Sequence, residues 1–177
     1  LNAITDVDGV RVGHVTVSHG DGPHAARTGV TAIIPRDDVW HHKVAAATYT
    51  FNGNGAMTGA HWVNELGALE VPILLTGTNN VPLVANGVIS WMRAEAERRG
   101  HGGHLVLPFV AECADAGLTD SQARPVTEEH TIQAITAATS GAVPEGSVGA
   151  GTGMKSYSFK AGIGTASRVS RDGYTVG

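Results

Sequence analysis

Glycine dominates the stretch best suited to chemistry. Residues 145–168 read EGSVGAGTGMKSYSFKAGIGTASR, with Gly146, Gly149, Gly151, Gly153, Gly162 and Gly164 among them. A backbone without Cβ brings its amides close to a bound group, or lets two segments pack at short distance. Two nucleotide-binding readings fail on spacing. A phosphate-cradling P-loop needs Lys directly after its last Gly, and Met154 stands between Gly153 and Lys155. A dinucleotide fingerprint begun at Gly149 and Gly151 needs Gly or Ala at position 154. What remains is a glycine-rich loop feeding a strand over residues 154–160, with one face apolar. The plainest structural role for that loop is a tight turn in a sheet.

The other reactive side chains give weaker patterns. His41 and His42 are adjacent, so a strand points them to opposite faces and a helix sets them about 100° apart. His101 and His104 flank two glycines with no carboxylate or thiol close in sequence to complete a ligand set, and no metal site is expected. No G-x-S-x-G elbow occurs; Ser147, in GSVG, falls one residue short and reads as a loop residue. Glu112 ends the apolar run LPFVAE. Burying its carboxylate costs free energy unless a cation or donors meet it. It either faces water at the end of an element or holds a positive group. Lys160 and Arg168 either pair with carboxylates or stay solvated. Asn79 and Asn80 are possible donors to an oxyanion, with Asn80 better suited to capping a helix. Tyr157 and Phe159 read as core or pocket wall.

These groups need a scaffold, and the composition supplies one. The chain has 177 residues, 42% hydrophobic and 16% charged, enough for one domain with a substantial core. A formal net charge of -4 argues against a nucleic-acid or anionic-membrane surface. The single Cys113 makes no internal disulfide, which leans the compartment toward the cytoplasm and leaves periplasm or secretion open. No apolar run approaches the ~20 residues that span a bilayer.

In chain order, residues 10–17 read as a strand, 18–27 as a turn, and 29–34 as a second strand ended by Pro35. Residues 44–51 read as a third strand running into the Asn52-Gly53-Asn54-Gly55 turn. Thr58 caps a helix over 59–69, and 71–76 forms a short buried strand. Asn80 caps a long helix to Arg99, with Pro82 in its first turn and Leu83, Val84, Val88, Trp91 and Met92 inward. Residues 105–110 form another apolar segment. Thr127 caps a helix with Glu128 and Glu129 in its first turn and Ile132 and Ile135 inward. Strands and helices mix without a linker or an internal repeat, which makes residues 1–177 one α/β domain.

Three segments together resemble one family. GAGTGMKSYSFKAGIGTASR at 149–168, LNAITDVDGVRVGHVTV at 1–17 and RTGVTAIIP at 27–35 are similar to the DmpA-type (peptidase S58) aminopeptidases. That family includes β-peptidyl aminopeptidases and L-aminopeptidase/D-amidase/D-esterases. The resemblance implies an α+β fold, a four-layered αββα sandwich completed by a second chain. It implies an N-terminal and central part of a self-cleaving precursor, the α-subunit, with the β-subunit from the same precursor as partner. The catalytic Ser or Thr would then head that other chain, its freed α-amine acting as base with a reference pKa near 8. No catalytic residue is expected in this chain, and no cofactor or metal. In family members the segment around Glu112 looks like LP-x-x-AE, which implies that Glu112 holds the ammonium of a peptide or amide substrate. Gly151, Thr152, Gly153 and Met154 would line the cleft, with backbone amides toward developing negative charge. A homo-oligomer of αβ units is implied, without nucleic acid or membrane. Two other readings stay open: an acyltransferase resembling the ornithine acetyltransferases, and a binding module without catalysis.

Overall fold

The computed structural model describes residues 1–103 and 105–177; His104, weighed above as a metal ligand, lies outside the described residues. The elements run β1 (Arg11–His19), β2 (Ala26–Ile34), β3 (Val44–Ala45), α1 (Ala60–Leu66), β4 (Ala68–Leu69), β5 (Ile73–Gly77), α2 (Val81–Arg98), β6 (Phe109–Cys113) and α3 (Glu128–Thr136). Four two-residue strands follow: β7 (Lys155–Ser156), β8 (Phe159–Lys160), β9 (Arg168–Val169) and β10 (Thr175–Val176).

The central sheet has the order β1-β2-β5-β6. β1 and β2 form an antiparallel hairpin from Arg11↔Ile34 to His19↔Ala26. β2 pairs antiparallel with β5, and β5 pairs parallel with β6. A parallel pair needs a crossover, and α2 provides it. β2 and β5 sit inside the sheet and read as nearly continuous apolar and β-branched runs, as the sequence analysis expected.

Helices α2 and α3 cover one face. Val84 and Val88 of α2, with Ala134 and Ile135 of α3, join Val30, Ala32, Leu74 and Val110 of the sheet in one cluster. Full burial of each Val, Leu or Ile side chain in it contributes roughly 1.5–3 kcal/mol. Pro82 stands in the first turn of α2 and positive-φ Gly100 follows its end. Thr127 caps α3 as expected: its Oγ1 accepts from the His130 amide while His130 Nδ1 accepts from the Thr127 amide at 3.1 Å. Of the two isoleucines expected inward on α3, Ile135 is buried and Ile132 half-buried. The chain is α+β, with helices and sheet layered as the fold class requires.

Several expected elements differ. Residues 44–51 do not form one strand: only Val44–Ala45 pairs, with Ala68–Leu69, and further on the Thr48 amide donates to Asn64 Oδ1 at 2.7 Å rather than to a neighbouring strand. Tyr49 and Phe51 are exposed there. Thr58 caps no helix; its hydroxyl donates to Pro108 O at 2.8 Å and accepts from the Val110 amide at 2.9 Å, pinning the loop to β6. Helix α1 instead starts after left-handed Gly59 and stops at left-handed Gly67. The apolar 105–110 segment is a strand only from Phe109, and the strand runs on to Cys113. Residues 154–160 form the hairpin β7–β8, not one strand, with Tyr157 and Ser158 at its turn. Tyr157 and Phe159 are consequently exposed rather than in the core.

Candidate active site

The glycine-rich stretch lies on the face of the sheet opposite α2 and α3. Residues Gly149–Gly151 make a single 3-10 turn, and positions 149 to 153 are all buried. Side-chain hydroxyls on alternate sheet positions hold it: Thr16 Oγ1 accepts from the Gly149 amide at 2.9 Å and Thr31 Oγ1 from the Ala150 amide at 3.1 Å. Contact is backbone to backbone. A Cβ on Gly153 would stand 2.0 Å from Arg27 O and 2.8 Å from Asp115 Cβ, so only glycine fits. Thr31 Oγ1 also meets His14 Nδ1 at 2.9 Å. The Thr31 hydroxyl thus bridges the Ala150 amide and the His14 ring. Burial pushes the His14 pKa down, so the ring stays neutral.

The amides of this turn are already engaged. Besides Gly149 and Ala150, the Gly151 amide donates to Val148 O, Thr152 to Gly149 O and Met154 to Gly151 O. Thr152 Oγ1 donates to Gly149 O at 2.7 Å. Thr76 Oγ1 likewise donates to Gly29 O and Thr119 Oγ1 to Arg27 O. These three hydroxyls are therefore committed to backbone oxygens. Lys160 and Arg168, expected either to pair with carboxylates or to be solvated, bind amide and carbonyl oxygens instead. Lys160 reaches Gly151 O and Ala161 O, and Arg168 reaches Asn2 Oδ1 and Ser167 O.

Glu112 stands on β6 opposite Thr76 of β5, with its amide bonded to Ala56 O at 2.9 Å. It is half-buried, and its Oε1 lies 3.5 Å from where a Cβ on Gly55 would be. No cation or hydrogen-bond donor meets this carboxylate among the described residues. No hydrogen bond joins it to Gly151, Thr152, Gly153 or Met154 either. The link between the two regions is Asp115, three residues beyond Glu112, whose side chain packs against both Gly77 and Gly153.

Asp115 was not singled out by its sequence context, and neither was Thr28. Asp115 is 3% exposed, Thr28 is fully buried and Asn80 is 4% exposed. Asp115 Oδ2, Thr28 Oγ1 and Asn80 Oδ1 meet no partner within hydrogen-bonding geometry. Asn80 therefore precedes α2 as expected but does not cap it with its side chain. Burial pushes the Asp115 carboxyl above the usual carboxylate range, with the adjacent Thr28 hydroxyl pulling the other way. Burial, Asp115 and Glu112 together push the Cys113 thiol up to about 11, so it is not a thiolate nucleophile near neutral pH. The only forewarning in the sequence was the spacing of three ionisable groups in Glu112-Cys113-Ala114-Asp115.

A half-buried carboxylate that no cation meets among the described residues is suited to binding a charged amine. The model for peptidase family S58 matches residues 2–177. A β-peptidyl aminopeptidase, BapA of Sphingosinicella xenopeptidilytica, is 46% identical over 185 residues, covering 100% of this chain and 46% of its own length. Among solved structures, a Burkholderia sp. β-aminopeptidase is 42% identical with a TM-score of 0.87, covering 97% of this chain and 48% of that one. An L-aminopeptidase D-Ala-esterase/amidase from Ochrobactrum anthropi, described as a variant of the Ntn hydrolase fold, is 40% identical with a TM-score of 0.86. It covers 96% of this chain and 48% of that one. The chain thus spans about half the length of the curated relatives it matches.

Proposed function

The chain belongs to peptidase family S58, and from that premise we propose that it is the scaffold and amine-binding part of a serine-type aminopeptidase or amidase. The whole enzyme removes the N-terminal residue of a peptide, amide or ester through an acyl-enzyme. The attacking Ser or Thr hydroxyl comes from polypeptide outside these 177 residues, a β-subunit cut from the same precursor. Two observations support an external nucleophile: the relatives are about twice as long, and Thr76, Thr119 and Thr152 are committed to backbone oxygens.

The Glu112 carboxylate carries the reading. A half-buried carboxylate without a counter-ion among the described residues favours a ligand that brings one, and a substrate's free ammonium does so through charge-assisted hydrogen bonds. The relatives' names favour substrates with a β-amino acid or a D-residue at the scissile end. Gly151, Thr152, Gly153 and Met154 serve as the floor. Since most of their amides already donate internally, the donors for developing negative charge come from other groups.

Glu112→Gln in the intact protein tests this. A hydrogen bond to a charged group contributes about 1.5–3 kcal/mol, so kcat/KM for free-amine substrates falls roughly 10- to 100-fold, mostly through KM. N-acylated esters are hydrolysed as before. An equal loss on both substrate types would overturn the role of Glu112. A single uncut polypeptide in intact-mass analysis would overturn the self-processed enzyme.

A further inference from the structure

Sequence spacing gave no ligand set to any histidine, yet the fold assembles one. Asp38 and His41 lie in the segment after β2, and His101 lies just past the end of α2. One ligand atom from each can be chosen so that all lie within 4.8 Å of one another. The two imidazole rings are neighbours, with centroids 4.1 Å apart and planes tilted by 47°. His41 Nδ1 and Asp38 Oδ1 already share a proton at 2.9 Å.

We propose that Asp38, His41 and His101 bind a divalent cation of the zinc class, clasping the segment after β2 to the C-terminal end of α2. Two imidazole nitrogens and one carboxylate oxygen are a donor set typical of zinc, with three protein ligands and one open position. Ligand atoms at zinc bond lengths of ~2.0–2.2 Å stand about 3.3–3.5 Å apart on a tetrahedral ion. Side-chain rotation of the order of 1 Å therefore closes the site, with the ion taking the place of the proton between His41 and Asp38. The backbone is held in place beforehand. The His41 and His42 amides both donate to Asp38 O, Asp38 adopts φ +48, and the His101 amide donates to Ala96 O at 2.8 Å.

The surroundings permit the ion. Arg99 approaches Asp38 through Oδ2 at 3.7 Å, leaving Oδ1 for the cation, and Glu95 and Asp37 meet the rest of the guanidinium charge. His41 and His101 also line an open cleft of about 390 Å³, together with Ile34, Trp91 and Met92, which gives water or an anion access to the fourth position.

The test is zinc chloride titration of the untagged, metal-depleted intact protein by calorimetry, with cobalt(II) absorption reporting coordination number. One ion per chain and a four-coordinate cobalt spectrum are expected. His41→Ala and His101→Ala each weaken binding by at least about tenfold and abolish the zinc-dependent rise in melting temperature. His61→Ala, on the exposed side of α1, changes neither. Both ligand histidines are exposed, so the variants fold, which circular dichroism verifies. Absence of binding to wild-type protein up to millimolar zinc, or unchanged binding in either ligand variant, overturns the site.

Discussion

The two ends of the central sheet are finished in opposite ways. Where β2 begins and β5 and β6 end, the residues are small, polar and dry. Gly77 and Gly153 let the Asp115 side chain pack closely against them, Gly153 also admits Arg27 O, and the Asp115, Thr28 and Asn80 side chains stay buried. Where β1 begins and β2 ends, the groups are charged, wet and matched. Arg11 and Arg99 meet Asp37, Arg98 and Arg99 meet Glu95, and Arg99 also reaches Asp38. A buried polar atom without a good partner costs about 1–3 kcal/mol, and the Thr28 hydroxyl facing Asp115 offsets only part of that cost at this end. The matched end stands to lose little when altered. The dry end is therefore where substitution is costly and where the proposed chemistry belongs.

Gly153→Ala should have the largest effect. Its Cβ would meet backbone on one side and a buried carboxylate side chain on the other, neither of which can swing away. A loss of about 3 kcal/mol or more is expected in urea unfolding of the intact protein. Gly102→Ala, with no atom of the described residues within 4 Å of its added Cβ, serves as the counterpart and should be nearly neutral. If the two variants unfold alike, the dry end is not packed as described. The Glu112→Gln loss in kcat/KM comes next, on the same end of the sheet.

Asp115→Asn sharpens the contrast through pH. The folded chain holds the Asp115 proton more tightly than the unfolded one, because its carboxyl is raised by burial. Below the unfolded pKa of about 3.9 both states are protonated and the group adds no pH dependence. As pH rises past that value the unfolded chain releases its proton first, so stability falls until Asp115 itself ionises in the fold. Asparagine removes that fall. The stability of Asp115→Asn relative to wild type should thus grow between pH 3 and pH 7, followed by denaturant unfolding. A flat trend would mean that the fold leaves this carboxyl unshifted, and an opposite one that it stabilises the carboxylate.

Much of the scaffold was legible because it rests on local pattern. The β1–β2 hairpin, α2 with Pro82 and its apolar stripe, and the Thr127 cap of α3 all follow from periodicity and turn chemistry. The segment 44–51 shows the limit: its residues suit a strand, but a strand needs a partner edge, and only two of them find one. Tyr157 and Ser158 both adopt positive φ without being glycine, so nothing in their types announced the β7–β8 turn. The position of the glycine stretch was readable, whereas its role was not. Thr16 and Thr31 hold it across 133 and 119 residues of sequence, and no local pattern encodes which hydroxyl waits at the other end. The same distance hid the meeting of Asp38 and His41 with His101.

The charged end provides the smallest and most diagnostic change. Asp37 is 74% exposed in its side chain and contacts Arg11 at 3.5 Å and Arg99 at 3.2 Å. Removing its charge by Asp37→Asn leaves Arg99 with Glu95 at 2.5 Å and leaves Arg11, 40% exposed in its side chain, to water. Exposed pairs of this kind contribute about 0.2–1 kcal/mol, and at 1 M salt the screening length shrinks to roughly 3 Å. The variant should therefore lose under about 1 kcal/mol at low salt and become indistinguishable from wild type at 1 M sodium chloride. A larger loss that persists in salt would show that the ion pairs act as one coupled network. The asymmetry between the two ends would then lie in their chemistry and not in how much of the fold depends on each.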